Sequence, residues 1–380
     1  MIYMDNSATS YPKPQVVIDA VKNSFETTIA NPGRSSHREA VRTSMALYLA
    51  REAVAELVNT VPENVAFTYN ATMALNMALY GAIRDGDWVV TTPLEHNSVL
   101  RPLYDLERKN GIKLDFLKLD TRDTSVTLRH LEELFLSPEK PNAVVVTHTS
   151  NVIGYKMPIT EIGRLCRENG VLFIVDGSQG LGTSLVDMER DGIDVLCSSG
   201  HKGLFGIMGS GFMAVARTCT HIFKPLISGG SGIMSFEKTM PDALPERLEA
   251  GTVGMPAVES LRAGIEYINS VGVQTLAERS RARRVQLTEG LSVIQGVKLY
   301  TPEINSTSIV LFNLEGESPD KTAELLDGYG IASRAGFHCS PLAHKLLNTG
   351  GAVRLSVSPF TTSSECDALL MAVDNLSKGL

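Results

Sequence analysis

The sequence has no cysteine pair at C-x-x-C spacing, no polybasic block, and no apolar run approaching the ~18 to 20 residues of a membrane-spanning helix. Each absence removes a class of function. The five cysteines (Cys166, Cys197, Cys219, Cys339, Cys366) are odd in number and widely scattered, which argues against a disulfide framework or a zinc cage. A reducing cytoplasm is the expected compartment. With 35 Lys and Arg against 42 Asp and Glu the formal charge is −7, so neither nucleic acid nor an anionic membrane is an expected partner. The opening "MIYMDNSATSYPKP" lacks the basic start and apolar centre of a secretory signal. Internal repeats and low-complexity segments are also missing.

What is present is an ordinary globular composition, 43% hydrophobic and 20% charged, in 380 residues. That length exceeds the ~250 to 300 residues at which a single core usually stops growing, so a large and a smaller domain are expected. Helix and strand signals alternate through the first two thirds, the pattern of an α/β domain with a mainly parallel sheet. "SHRE" at 36 to 39 has capping-box spacing, and Val41, Met45, Leu49, Ala53 and Leu57 follow at four-residue steps, predicting a helix. A second helix is predicted from near Thr72, with Leu75, Leu79 and Ile83 on one face. "WVVTT" at 88 to 92, "AVVVTHT" at 143 to 149 and "VLFIV" at 171 to 175 are apolar without alternation, as strands buried on both faces are. After about residue 228 the texture becomes glycine-rich, then α+β. The expected division is a large domain over 15–262, and a small α+β domain built from 1–14 and 263–380.

In open parallel sheets ligands bind beyond the carboxyl ends of the strands. His148, Asn151, Asp176, Gln179, Ser199, His201 and Lys202 all lie just after apolar runs. Taken singly, Asp176 could be a helix cap and Lys202 could line a turn. Together, "VDGSQ" at 175 to 179 and "SGHKG" at 199 to 203 are separated by one expected α/β unit, which would bring an acid and a lysine to one pocket. "NAT" at 70 to 72 opens a predicted helix whose free N–H groups suit a phosphate. A nucleotide P-loop is excluded because Gly203, not Ser or Thr, follows the lysine. A phosphate site, an acid and a lysine not committed to phosphate point to pyridoxal 5′-phosphate.

From "MDNSATSYPKP" through "NATMALN", "LEHNSV", "HTSNVIG", "VDGSQ", "SSGHKG", "RLEAGT" and "SRAGFHCSP" to "VRLSVSPFTTSSE", the chain resembles the class V, fold-type I pyridoxal-phosphate enzymes of the cysteine desulfurase and selenocysteine lyase group. The resemblance implies that Lys202 carries the cofactor covalently and moves a proton at the substrate α-carbon. Asp176 would pair with the pyridinium nitrogen, Gln179 would approach the phenolic oxygen, and Asn151 that same edge or the substrate carboxylate. His96 would stack on the ring and pass protons. Thr72, with its neighbour Ala71, Ser199 and His201 would hold the phosphate. Thr252 would reach the phosphate of the other subunit of a homodimer. Arg354, helped by Arg334, would grip the amino acid carboxylate. Cys339 would take sulfur as a persulfide, its thiolate favoured by cations such as Arg334 or a protonated His338.

The implied reaction converts L-cysteine to L-alanine. L-Selenocysteine cleavage and class V amino transfer are the alternatives, and a sulfur-acceptor protein is a possible partner. No metal is expected. One departure from the family pattern stands out: Ile207 and Met208 follow "GLFG" where proline and a small or polar residue are usual.

Overall fold

The computed structural model describes residues 1–33 and 36–379. Within the large sheet's share of the chain lie α1 (Gln15–Thr27), α2 (Arg38–Val58), β2 (Val65–Thr68), α3 (Ala71–Ala82), β3 (Trp88–Thr91), α4 (Asn97–Asn110) and β4 (Lys113–Phe116), preceded by the short β1 (Ile2–Tyr3). Next come α5 (Thr124–Phe135), β5 (Ala143–Thr147), α6 (Ile159–Asn169), β6 (Leu172–Asp176), β7 (Val195–Ser199) and β8 (Gly211–Val215). These strands form a seven-stranded sheet in the order β2-β8-β7-β6-β5-β3-β4, in which only β8 runs against its neighbours. The expected mainly parallel α/β architecture is what the chain adopts.

Apolar strands without alternation are explained by two covered faces. Val89, Val145, Ile174 and Val195 pack under α3 and α4, while Val90, Val144, Val146, Val175 and Leu196 face the opposite helical layer. Every one of them is essentially inaccessible to water. The layer opposite α3 and α4 includes α7 (Met255–Val271), which packs on α1 and α2. Residue 262, the expected domain limit, falls inside this helix, and Leu261, Ala263 and Ile265 share one core cluster.

The rest of the chain runs α8 (Val273–Ser292), β9 (Val297–Leu299), β10 (Ile309–Leu314), α9 (Pro319–Gly328), β11 (Ile331–Ala332), β12 (Arg334–Gly336), α10 (Pro341–Leu346), β13 (Ala352–Ser356) and α11 (Ser363–Ser377). A four-stranded antiparallel sheet, β12-β13-β10-β9, packs on α8 and α11 around Leu287, Phe312, Val353 and Leu369. The first residues belong with it: β1 pairs in parallel with β11, and Asp5 bridges Ser356.

Two local expectations need correction. α2 begins one residue later than "SHRE" implies, since its cap is His37, whose ring accepts the Ala40 N–H. β6 and β7 are indeed adjacent and parallel, but no helix joins them; residues 177–194 cross by turns. The reason is space. A Cβ on Gly182 would come within 2.1 Å of the Gly203 carbonyl, and one on Gly203 within 2.1 Å of the Leu181 carbonyl. The crossover therefore lies backbone to backbone on the loop that carries Lys202.

Candidate active site

β5, β6 and β7 end side by side at Thr147, Asp176 and Ser199, and α3 starts beside them at Ala71. A cavity of about 190 Å³ opens there. Ala71, Thr72 and His96 line one side, Asn151, Asp176 and Gln179 another, and Ser199, His201 and Lys202 close it. Nine expected site residues are thus brought to one place. Thr252 is not among them; it is exposed, 3.4 Å from the Asn31 amide, outside this cavity.

At one end of the cavity the start of α3 offers helix N–H groups. Asn70 caps the helix by accepting the Met73 N–H at 2.9 Å, and the first-turn N–H groups of Ala71 and Thr72 have no intrahelical acceptor. Ser199 Oγ and His201 Nδ1 are buried there without a hydrogen-bond partner among the described residues. Burial and the nearby Lys202 and Lys13 lower the His201 pKa to about 4, so the ring is neutral. Its carbonyl is gripped by the Ser10 N–H at 3.1 Å and by Lys13 Nζ at 2.8 Å, which fixes the lysine loop from the amino-terminal segment.

Lys202 sits on a loop closed by the Gly206 N–H on the Gly200 carbonyl. Desolvation drives its amine down to about 8 against the opposing attraction of Asp176. Asp176 accepts the Ser178 N–H at 2.9 Å, which fixes the carboxylate at the strand end. His96 Nδ1 accepts the Ser98 N–H at 3.0 Å, placing the ring proton on Nε2. Desolvation, then Lys202, lower its pKa to about 4, so His96 is a neutral imidazole. Gln179 Nε2 donates to the Ser7 carbonyl at 2.9 Å.

On the substrate side, Arg354 is 3% exposed and donates through Nη1 to the Asn151 carbonyl at 2.9 Å and through Nη2 to Asp5 at 2.8 Å. Its Nε has no partner. Arg334 lies 3.8 Å from the other Asp5 oxygen. Cys339 is exposed, and its carbonyl accepts the Asn97 N–H, one residue beyond His96. Asn151 turns its side chain to the cysteine loop, donating to the His338 carbonyl at 2.8 Å and accepting from Ser340 Oγ at 2.8 Å.

The sequence pattern described as Aminotransferase class-V matches residues 2–369. The chain belongs to this family. A probable cysteine desulfurase of Pyrococcus abyssi is 33% identical over 391 residues, covering 100% of this chain and 95% of the relative. One from Methanothermobacter thermautotrophicus is 32% identical over 375 residues, covering 97% and 92%. Among solved structures, an apo cysteine desulfurase from Thermococcus onnurineus superposes with TM-score 0.91 at 31% identity, over 100% of this chain and 95% of that one.

The class-V aminotransferase family implies pyridoxal 5′-phosphate, and the residues fit it. The orphaned Ser199 Oγ and His201 Nδ1 beside a helix start suit a phosphate, and a half-desolvated lysine beside a buried carboxylate suits the ring. One expectation fails outright. His338 is 7% exposed, and burial with Arg354 beside it lowers its pKa to about 3, so it is not a protonated neighbour of Cys339. The Ile207 departure has a reason here: its N–H donates to Ser260 Oγ at 3.0 Å, which proline could not do.

Sequence reasoning missed Asp5 and Glu95. Glu95 is fully buried; desolvation raises its carboxyl to about 8, and Oε1 accepts from Thr92 Oγ1 at 2.6 Å and the Thr147 N–H at 2.8 Å. It ties the His96 loop to the end of β5. An acid immediately before His96, itself a candidate site residue, was the available signal.

Proposed function

We propose that this class-V aminotransferase family member is a pyridoxal-phosphate-dependent cysteine desulfurase that converts L-cysteine to L-alanine and leaves the sulfur on Cys339 as a persulfide. The observation that carries the reading is the tie between Cys339 and Asn97, which puts an exposed thiol-bearing residue beside His96 at the rim of the cavity that holds Lys202 and Asp176. Amino transfer has no use for a thiol there. The names of the relatives at about 30% identity support the same choice.

Bound in the cavity, pyridoxal 5′-phosphate would supply an electron sink for charge developing at the substrate α-carbon. The α3 start, Thr72, Ser199 and His201 would hold its phosphate, Asp176 would pair with the ring nitrogen, and Lys202 would hold it covalently. Gln179 would approach the phenolic oxygen. A lysine amine with a pKa near 8 is suited to take and return a proton at physiological pH. Neutral His96 would pack against the ring and offer Nε2–H. Arg354, with Arg334 at its side, takes the substrate carboxylate. The Cys339 sulfur then bonds to the substrate sulfur as the carbon–sulfur bond breaks; the electron pair stays with the carbon fragment, which gains a proton and leaves as alanine. No external oxidant is needed, either here or when the outer sulfur passes to a thiol or an acceptor protein, because that exchange leaves Cys339 as a thiol.

The same reading makes the protein a homodimer, with Thr252 serving the partner's phosphate. Its support is the placing of Thr252 outside its own chain's cavity, together with an exposed apolar stripe of Val41, Met45 and Leu49 along α2. Alanine release from L-cysteine and from L-selenocysteine, by the wild type and by Cys339→Ser, is the test. Loss of cysteine cleavage in Cys339→Ser is expected. Undiminished cleavage would restore the class V aminotransferase or another thiol-independent reading, and a strong preference for L-selenocysteine would make the protein a selenocysteine lyase.

A further inference from the structure

Residues 337–340 make a tight turn in which the Ser340 N–H donates to the Phe337 carbonyl at 2.9 Å. Its two central residues, His338 and Cys339, have φ of 51° and 56°. Positive φ at both central positions is the pattern of a type I′ turn, which usually takes Asn and Gly because a Cβ crowds the carbonyl in that region. Here the two positions carry an imidazole and the reactive thiol. Such a turn persists only where its surroundings hold it.

The surroundings hold it from two sides. Toward the cavity, Asn151 Nδ2 donates to the His338 carbonyl, Asn151 Oδ1 accepts from Ser340 Oγ, and the Asn97 N–H takes the Cys339 carbonyl at 2.7 Å. Every carbonyl from 337 to 339 is therefore occupied. Away from the cavity a chain of imidazoles supports the turn. The Arg334 carbonyl lies 3.2 Å from His338 Nε2 and can only accept, so the His338 proton is on Nε2. Its Nδ1 must then accept from His344 Nε2 at 3.1 Å, and His344 Nδ1 in turn accepts from the Thr349 hydroxyl at 2.8 Å. Burial lowers the pKa of both rings, which keeps the single-proton order intact. Ser340 and His344 are both 0% exposed, and neither lines the cavity.

We propose that Ser340 and His344 are positioning residues that act through Asn151 and His338 to lock Cys339 in its left-handed conformation, with its thiol held at the cavity rim. The proposal rests on the reading of Cys339 as the sulfur-accepting nucleophile. It assigns to Ser340 a job that Ala, identical but for the hydroxyl, could not do.

The experiment uses cofactor-loaded wild type, Ser340→Ala and His344→Gln. Expected is a fall in kcat for L-cysteine of roughly 10- to 100-fold, the cost of misplacing a reacting group by about an ångström, with KM within about twofold. Exchange of the α-hydrogen of L-alanine with solvent, which calls on Lys202 and not on Cys339, stays at the wild-type rate. Amide hydrogen exchange in a peptide spanning 337–341 quickens at least about tenfold, because the turn opens more often. Unchanged amide exchange and unchanged kcat in both variants would overturn the proposal. So would an equal loss of L-alanine exchange, which would place the defect at the cofactor. If amide exchange quickens in the variants while the wild type releases no alanine from cysteine, the lock stands and the desulfurase reading falls. Should Ser340→Ala not fold, His344→Gln tests the same turn from its other side.

Discussion

Asp5 and Arg354 lie 349 positions apart in the chain, and their side chains meet at 2.8 Å. Arg334 approaches the same carboxylate at 3.8 Å, so two guanidiniums share one anion and leave a single unit of positive charge beside the cavity. One excess charge suits an amino acid with one carboxylate. Asp5→Asn would remove that balance. The expected outcome is a KM for L-cysteine raised roughly tenfold, stronger competition from L-aspartate, and a loss of stability on the order of 3 kcal/mol, because a nearly inaccessible guanidinium loses its partner. Steady-state inhibition and thermal unfolding check it; unchanged discrimination between the two amino acids would count against Asp5 as the balancing charge.

Lys202 predicts where the cofactor attaches. Borohydride treatment of the loaded protein should fix the cofactor to a peptide containing Lys202, read by mass spectrometry. Lys202→Ala should lose turnover by at least about 10³-fold, as loss of a nucleophile that is also the proton carrier requires, while holding some cofactor through Asp176, Ser199 and His201. Labelling at another lysine removes the assignment.

The inward-facing histidines set an acid limit. His96, His148 and His201 have pKa values lowered by burial to about 4, and His338 to about 3, below the ordinary 6.5. Their contribution to stability is present above pH 6.5 and is lost as pH falls from there toward 4, because the unfolded chain binds the protons the folded chain refuses. Each costs up to about 1.4 kcal/mol per pH unit across that window. Glu95, raised to about 8, works the other way, regaining stability as pH falls from 8 to 4.5, and offsets only part of the loss. The melting temperature of the cofactor-free protein should drop steeply between pH 6.5 and 4.5. A flat profile would mean these rings are protonated in the folded state.

The α2 stripe predicts assembly. Met45 is 59% exposed and Leu49 40%, on a helix whose other face is packed by Ala50, Val54 and Val58. Native mass measurement at low micromolar concentration should give a dimer for the wild type and a monomer for Met45→Asp, since a charge in an apolar contact is poorly tolerated. A Met45→Asp dimer of wild-type affinity would move the interface elsewhere.

The sheet was legible because its strands are apolar on both faces, a pattern set by Val144, Val145 and Val146 without reference to anything distant. The cavity residues were legible because each follows such a strand or opens a helix. What escaped depends on which residues the folded chain brings together, which the local pattern does not show. Nothing near Asp5 announces a guanidinium 349 positions away, and nothing in "FHC" says that His338 turns inward to His344 instead of toward the thiol. The absent crossover helix was hidden for the same reason, since its space is taken by the approach of Gly182 to Gly203. Thr252 could be read only as a family position, because it lies outside the cavity that the other cofactor-site residues line.

The pairing of β1 with β11, and of Asp5 with Arg354, has a consequence for how the protein is made. A ribosome adding about 5 to 20 residues per second delivers Asp5 roughly 20 to 70 s before Arg354. During that interval all seven strands of the large sheet are made, with Asp176 at the end of β6 and Lys202 on the loop after β7, while the corner around Asp5 still lacks Arg354. The corner in which Asp5 meets Arg354 therefore closes only after all but the last 26 residues of the chain have been made.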